Sequence, residues 1–225
     1  MFKSTERRPF VSSPGSKKGG FPMLHGEAVP RGTLALLKKL CAHQALRDFA
    51  LVGGTSLALR FGHRMSVDLD FFRPEKFDNE LLIAELGADF ALEVTNQNNN
   101  GLMAFIEGVK VDAVTYPYAL LYPYETLERV RMMSLPDVIA MKLGAISNRG
   151  AKKDFYDLHV LLKHFPIHEL VDIYVRKFPS HDPMIPIRSM IYFDDAEETE
   201  TPKTLIKTTW PRVKAEILAA VKPML

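Results

Sequence analysis

The pattern of apolar residues changes at Pro136, and this change limits the folds open to the chain. Before Pro136, short apolar segments alternate with turns rich in glycine and with short helical patterns, which is typical of strands and helices in one domain. After it, apolar residues recur at helical spacing over 135–147, 152–163, 168–178 and 208–221. The sequence therefore predicts an α+β fold followed by a helical carboxyl-terminal domain.

Three regions follow from composition and pattern. Residues 1–22 are rich in Ser, Gly, Lys and Pro and carry five basic residues against one acidic residue, which predicts a flexible basic tail. Residues 23–134 form the predicted α+β core, and residues 135–225 form the predicted helical domain. Because the whole chain has a net charge of only +2, a nucleic acid would have to be bound by a local basic patch.

Cysteine content and hydropathy bear on where such a chain resides. Cys41 is the single cysteine of the 225 residues, so an internal disulfide or a cysteine-only metal site is excluded. No apolar run reaches the length of about 18 residues needed to span a bilayer. The first residues also lack the apolar segment of a signal peptide. We therefore predict a cytoplasmic protein with no membrane association.

Two motifs close together in the sequence indicate a nucleotide–metal site. A predicted strand runs into Gly53-Gly54-Thr55-Ser56 at the start of a helix, and the next predicted strand, 67–72, carries Asp68 and Asp70. The first N–H groups of a helix lack backbone partners and bind phosphate well. Asp68 and Asp70 share one face of their strand, where like charges need a cation such as Mg²⁺ between them. The alternative is an ordinary helix start beside a solvated Asp-x-Asp strand.

Asp112 is a third candidate carboxylate, in the apolar predicted strand 109–114. A carboxylate inside an apolar strand is costly unless it has a partner. If this strand lies beside 67–72, Asp112 completes a triad able to hold two metal ions for phosphoryl transfer. If it lies at the edge of the sheet, Lys110 and Asp112 face water. The sequence leaves both arrangements open.

Lys142 lies on the apolar face of the predicted helix 135–147. A lysine in that position is expected either to be paired or to line a cleft. Arg149 follows near the helix end, and Asp154 and Asp157 are neighbours on the next predicted helix. One interpretation is a cationic clamp on a triphosphate, oriented by the two acids. The other is a snorkelling lysine beside a group of helix-capping charges.

Four segments together resemble the motifs of the AbiEii-type nucleotidyltransferase toxins, a family of the DNA-polymerase-β-like superfamily; they are 51–56, 64–72, 141–146 and 153–158. The resemblance implies a nucleotidyltransferase-like mixed β-sheet core with flanking helices, completed by the helical domain. It also implies nucleotide transfer from an NTP with Mg²⁺ or Mn²⁺ as cofactor. Studied members act on RNA, including the 3′ end of tRNA, and are countered by a cognate antitoxin protein.

The residue patterns and the resemblance together give a set of candidate site residues. The predicted catalytic residues are Asp68, Asp70, Lys142 and Asp154, and the predicted metal ligands are Asp68, Asp70 and Asp112. The predicted contacts to the NTP are Gly53, Gly54, Thr55, Ser56, Lys142 and Arg149. The predicted contacts to RNA are Arg64, Lys152 and Lys153. Two other hypotheses remain: transfer to a small-molecule hydroxyl such as that of an antibiotic, and a binding module that has lost catalysis.

Overall fold

The computed structural model describes residues 23–225, so the predicted basic tail at 1–22 lies outside the described residues. Strands and helices alternate first, and helices dominate after residue 134. The strands are β1 Ala50–Leu51, β2 Leu69–Arg73, β3 Leu92–Asn98, β4 Gly101–Ile106, β5 Val109–Thr115, β6 Glu125–Leu127 and β7 Val130–Met132. The helices are α1 Arg31–Ala42, α2 Gly53–Phe61, α3 Asn79–Asp89, α4 Leu135–Asn148, α5 Lys152–His164, α6 Ile167–Lys177, α7 Met184–Ser189, α8 Asp194–Glu197 and α9 Trp210–Val221.

The strands form one mixed sheet in the order β3-β4-β5-β2-β1-β7-β6. The pairs β2–β5 and β1–β7 are parallel, and the other neighbouring pairs are antiparallel. The sheet with its flanking helices confirms the predicted α+β class. Because β5 lies between β4 and β2, the alternative that placed Asp112 on an edge strand is wrong.

Side chains that alternate across the sheet enter two apolar cores. Leu51, Leu69 and Phe71 belong to the core that also holds the buried residues of α1 and α3. Ala50 and Val52 belong to the other core, which holds the buried residues of α4, α5, α6 and α9. The second core therefore extends across the predicted boundary at residues 134 and 135, and it fixes α4 against β1.

Local signals fix where the two helices nearest the candidate site begin. Gly53 starts α2 with φ of +69°, and Gly62 ends it in the left-handed conformation that glycine adopts without a Cβ clash. At the start of α4, the Ser134 hydroxyl accepts a hydrogen bond from the Asp137 N–H at 3.3 Å, and Pro136 lies in the first turn.

In residues 23–225 we find no helix that is both long and apolar enough to cross a bilayer.

Candidate active site

Three carboxylates come together where β2 and β5 run side by side. Asp70 and Asp112 are direct partners in the parallel register, and Asp68 immediately precedes β2. Burial raises the pKa of Asp70, and the nearby carboxylates of Asp112 and Asp68 raise it further. The structure thus places the third carboxylate beside the Asp-x-Asp pair, which is the first of the two arrangements that the sequence left open.

Two lysines lie beside these carboxylates. Lys110 Nζ donates to Asp112 Oδ2 at 3.1 Å, and Lys153 Nζ lies 4.0 Å from Asp68 Oδ2. The other oxygen of Asp112, Oδ1, is buried and has no hydrogen-bond partner. The charges of Lys110 and Lys153 offset part of the repulsion among the three acids. With the side chains in these positions, no three His, Cys, Asp or Glu residues in the described part of the chain lie close enough together to hold a metal ion.

The glycine turn lies against both the acids and the basic groups. A Cβ at Gly53 would lie 2.3 Å from Asp70 Oδ2, and one at Gly54 would lie 2.2 Å from Arg64 Nη2. Neither distance is open to a side chain, and the φ of +69° at Gly53 adds to the requirement for glycine. The close approach of backbone to side chains therefore depends on this glycine pair.

The two hydroxyls that follow the glycines are buried. Thr55 Oγ1 contacts Ser66 Oγ at 2.8 Å and also contacts the backbone oxygen of Asp68. Ser56 Oγ is buried without a hydrogen-bond partner. Neither Thr55 nor Ser56 lines the cleft described below, whereas Gly53 does. Thr55 thus holds the segment that leads into β2, and the predicted phosphate contact of the two hydroxyls is not supported by their positions.

Lys142 and Arg149 share a buried acid on α5. Lys142 Nζ lies 2.8 Å from Asp154 Oδ1, and Arg149 donates to the two oxygens of Asp154 at 3.0 and 3.1 Å. Burial alone would raise the pKa of Asp154, but the two cations lower it. The Arg149 side chain is 58% exposed, whereas that of Lys142 is 4% exposed. Asp154 therefore holds one buried and one accessible cation, and is not itself accessible.

Asp157 ties the same network to the segment after α2. Its carboxylate lies 2.7 Å from Lys142 Nζ, accepts two hydrogen bonds from Arg64 at 2.7 and 2.9 Å, and contacts His63 Nε2 at 2.7 Å. Burial would raise the pKa of Asp157, but Arg64 and Lys142 hold it well below its usual range. The sequence predicted Asp157 as an acid that orients the basic groups near Lys142, but its contacts with His63 and Arg64 were not predicted, because spacing along one helix does not show which distant groups it meets.

The predicted RNA contacts fall into two groups. Arg64 is buried against Asp157, and Lys152 is buried with its Nζ donating to the backbone oxygen of Thr199 at 2.9 Å. Neither cation is presented to solvent, so the expectation that Arg64 and Lys152 lie on an RNA-binding surface is corrected. Lys153, beside Asp68, has a side chain that is 46% exposed.

A cleft of about 760 Å³ connects the charged groups with an aromatic wall. Gly53, Asp70, Lys142 and Arg149 line the charged part. Six rings line much of the remainder: Phe72, Tyr116, Tyr118, Tyr174, Phe178 and His181. Within this wall Phe178 and His181 are stacked with centroids 5.1 Å apart, and Tyr118 meets Phe178 edge-on at 5.0 Å. No sequence pattern indicates this aromatic wall, because its rings come from segments that are distant in the chain and carry no motif.

The cleft and the fold together define a class of protein. Parallel neighbouring strands bear the paired carboxylates, a glycine turn faces them, and a buried lysine lies on the opposite helix. The crystal structure of a candidate nucleotidyltransferase from H. pylori has the same fold, with a TM-score of 0.58 and 18% identity; the alignment covers 89% of this chain and 92% of that one. The fold is therefore that of a nucleotidyltransferase.

Residues 35–223 match the family model described as the nucleotidyl transferase AbiEii toxin of a type IV toxin–antitoxin system. The chain belongs to this family, which confirms the resemblance seen in the four sequence segments. It is also 36% identical to an uncharacterized protein of Aquifex aeolicus over 171 residues, which are 72% of this chain and 82% of that protein.

A second structural neighbour is MenT4, a nucleotidyltransferase toxin from Mycobacterium tuberculosis. It aligns with a TM-score of 0.55 and 16% identity, over 84% of this chain and 83% of that one. At such an identity the alignment shows the common fold, and the roles of individual residues have to come from the geometry of this chain.

Proposed function

We propose that this protein transfers a nucleotide from an NTP to a hydroxyl group of RNA, with a divalent metal ion, as the toxin of a toxin–antitoxin pair. The observation that carries the proposal is that one cleft has both a charged part and an aromatic part. A nucleoside triphosphate has the same division, since its phosphates need cations and its base stacks on aromatic rings. Membership of the AbiEii toxin family supports the toxin role and an antitoxin partner.

The carboxylate cluster has the donor chemistry that Mg²⁺ or Mn²⁺ prefers, and its three side chains would have to draw closer together around the ion. Asp68, Asp70 and Asp112 offer hard oxygen donors from adjacent backbone segments, and Asp112 Oδ1 is buried without a partner. Three neighbouring carboxylates repel one another, so a divalent cation among them would relieve a cost that the lysines relieve only in part. When bound, such an ion would neutralise charge on the phosphates during transfer. We therefore propose these three residues as its ligands.

The basic groups of the chain would bind and orient the triphosphate. Arg149 lines the cleft with an exposed guanidinium that Asp154 holds in place through two hydrogen bonds. Lys142 would add a buried positive charge behind it, and the start of α2 would contribute the backbone N–H of Gly53, which lines the cleft, whereas Gly54, also a predicted contact, does not. In the proposed reaction, the acceptor hydroxyl gives its proton to solvent water, its oxygen bonds to the α-phosphorus, and the bond from that phosphorus to the β-phosphate breaks, which releases pyrophosphate. The protein would act mainly by positioning and charge neutralisation.

The choice of RNA as acceptor rests on the family and on Lys153. This lysine is half exposed and lies 4.0 Å from Asp68, one of the three proposed metal ligands. A basic group at that point favours a polyanion, and it would repel a cationic antibiotic.

The experiment that tests the proposal offers both kinds of acceptor to one enzyme preparation. The protein is incubated with each of the four NTPs labelled at the α-phosphate, with Mg²⁺, and with total RNA or an aminoglycoside. We expect label in RNA, none after EDTA treatment, and none for Asp70→Asn. Asp172→Asn, an exposed position on α6, serves as the matched control and should label RNA as the wild type does. Label in the aminoglycoside alone would support the small-molecule acceptor, and full labelling by Asp70→Asn would contradict the proposed site.

A further inference from the structure

Lys110 is a charged residue beside the site that the predicted roles leave out. It lies on β5 two residues before Asp112, so both side chains are on one face of the strand. Its Nζ donates to Asp112 Oδ2 at 3.1 Å, and its side chain remains 47% exposed. Its charge also acts on Asp68 and Asp70. Lys110 therefore lies against Asp112, whose direct partner in the neighbouring strand is Asp70.

The other cations near the cluster are held elsewhere or lie farther away. Lys142 is paired with Asp154 and Asp157 at 2.8 and 2.7 Å. Arg149 is paired with Asp154, and Lys153 lies 4.0 Å from Asp68, beyond hydrogen-bond distance. Lys110 alone among these groups donates a hydrogen bond to a proposed metal ligand. Its ammonium thus takes up a carboxylate oxygen that a metal ion would need.

We propose that Lys110 is an internal counter-ion of the carboxylate cluster, which competes with the divalent metal ion for Asp112. This inference rests on the proposed metal-dependent function. An ammonium and a metal ion cannot both lie against Asp112 Oδ2 without mutual repulsion, so metal binding has to displace Lys110. The free protein therefore binds metal more weakly than its three carboxylates would by themselves. Bound triphosphate adds negative charge and shifts the balance towards the metal, so that metal and NTP enter together.

The test measures the affinity for Mn²⁺ itself, in the absence of any NTP, by titration with detection of free Mn²⁺ by electron paramagnetic resonance. Lys110→Met keeps the length of the side chain and removes its charge. We expect its Mn²⁺ dissociation constant to fall at least about fivefold. Two unit charges about 4 Å apart repel by about 1 kcal/mol even in water, and this energy corresponds to about a fivefold change in a dissociation constant. Lys110→Arg keeps the charge and should stay within about twofold of the wild type.

Two further variants separate the outcomes. Lys39→Met removes an exposed lysine on α1 and should leave the affinity unchanged, whereas Asp70→Asn should abolish binding. If the wild type binds Mn²⁺, Asp70→Asn does not, and Lys110→Met matches the wild type, the counter-ion role is overturned while the proposed function stands. If neither the wild type nor Lys110→Met binds Mn²⁺, the proposed metal site and this inference both fail. Circular dichroism confirms that each variant is folded, which the half-exposed position of Lys110 leads us to expect.

Discussion

Replacing Lys142 by methionine tests whether the buried ion-pair network stabilises the fold. The substitution keeps the volume of the side chain and removes the charge that lies 2.8 Å from Asp154 and 2.7 Å from Asp157. Asp154 keeps its two hydrogen bonds from Arg149, and Asp157 keeps those from Arg64 and His63. Each carboxylate therefore loses one of several partners and is not left alone.

The magnitude follows from these contacts. Lys142 makes one hydrogen bond, to Asp154, and one further ion pair, to Asp157, and removing one partner of such buried pairs costs about 3–5 kcal/mol. Methionine in place of a buried ammonium recovers part of this, because the desolvation of the lysine is no longer needed. We expect the free energy of unfolding to fall by about 3 kcal/mol at pH 7. If Lys142 were unpaired and only lined the cleft, its replacement by methionine would lower the free energy of unfolding much less.

Guanidinium titration followed by the fluorescence of Trp210, the one tryptophan of the chain, measures this change. Trp210 is stacked on Tyr156 of α5, with centroids 6.0 Å apart, so its signal reports on the helix that carries both acids. Lys153→Met is the matched control: its ion pair is exposed and 4.0 Å long, and its loss should cost no more than about 0.5 kcal/mol. Equal unfolding free energies for Lys142→Met and the wild type, with equal m-values, would refute the buried network.

The remaining predictions concern the glycine turn and Asp157. Gly53→Ala should lower the free energy of unfolding by about 1–3 kcal/mol and abolish NTP binding, since its Cβ would lie 2.3 Å from Asp70 Oδ2 at a φ of +69°. Gly87 lies on α3, and an added Cβ would have nothing within 4 Å, so Gly87→Ala should instead raise the free energy of unfolding by up to about 1 kcal/mol. Calorimetry and NTP titration of both variants check this contrast. Because the pKa of Asp157 is held well below its unfolded value of about 3.9, its ion pairs stabilise the fold above about pH 4 and this contribution is lost as the pH falls further. Denaturant unfolding between pH 7 and pH 3 should show a smaller acid-dependent loss for Asp157→Asn than for the wild type, and parallel curves would contradict the assignment.

The sequence by itself determined the features that depend on near neighbours in the chain. Strand alternation predicted Asp68 and Asp70 on one face, although β2 begins only at Leu69 and Asp68 precedes it; the change of pattern at Pro136 predicted the α+β part and the helices that follow. The glycine pair at the start of α2 also showed in the sequence, because a tight entry into a helix has a local composition. The roles of the three carboxylates remain a prediction, and the structure adds that they lie together.

Tertiary structure alone decided which groups meet across the chain. The parallel register of β2 and β5 puts Asp112 beside Asp70, and no local pattern encodes which strand lies next to which. Arg64 was predicted to contact RNA, but it is buried against Asp157. A basic residue can face the interior when a carboxylate from a helix distant in the chain neutralises its charge, and the sequence near Arg64 does not show that carboxylate. The aromatic wall also depends on tertiary structure, since Tyr116 and Phe178 are distant in the chain and line one cleft. Their positions around the cleft depend on the packing of α6 against α4, which spacing along the chain does not show.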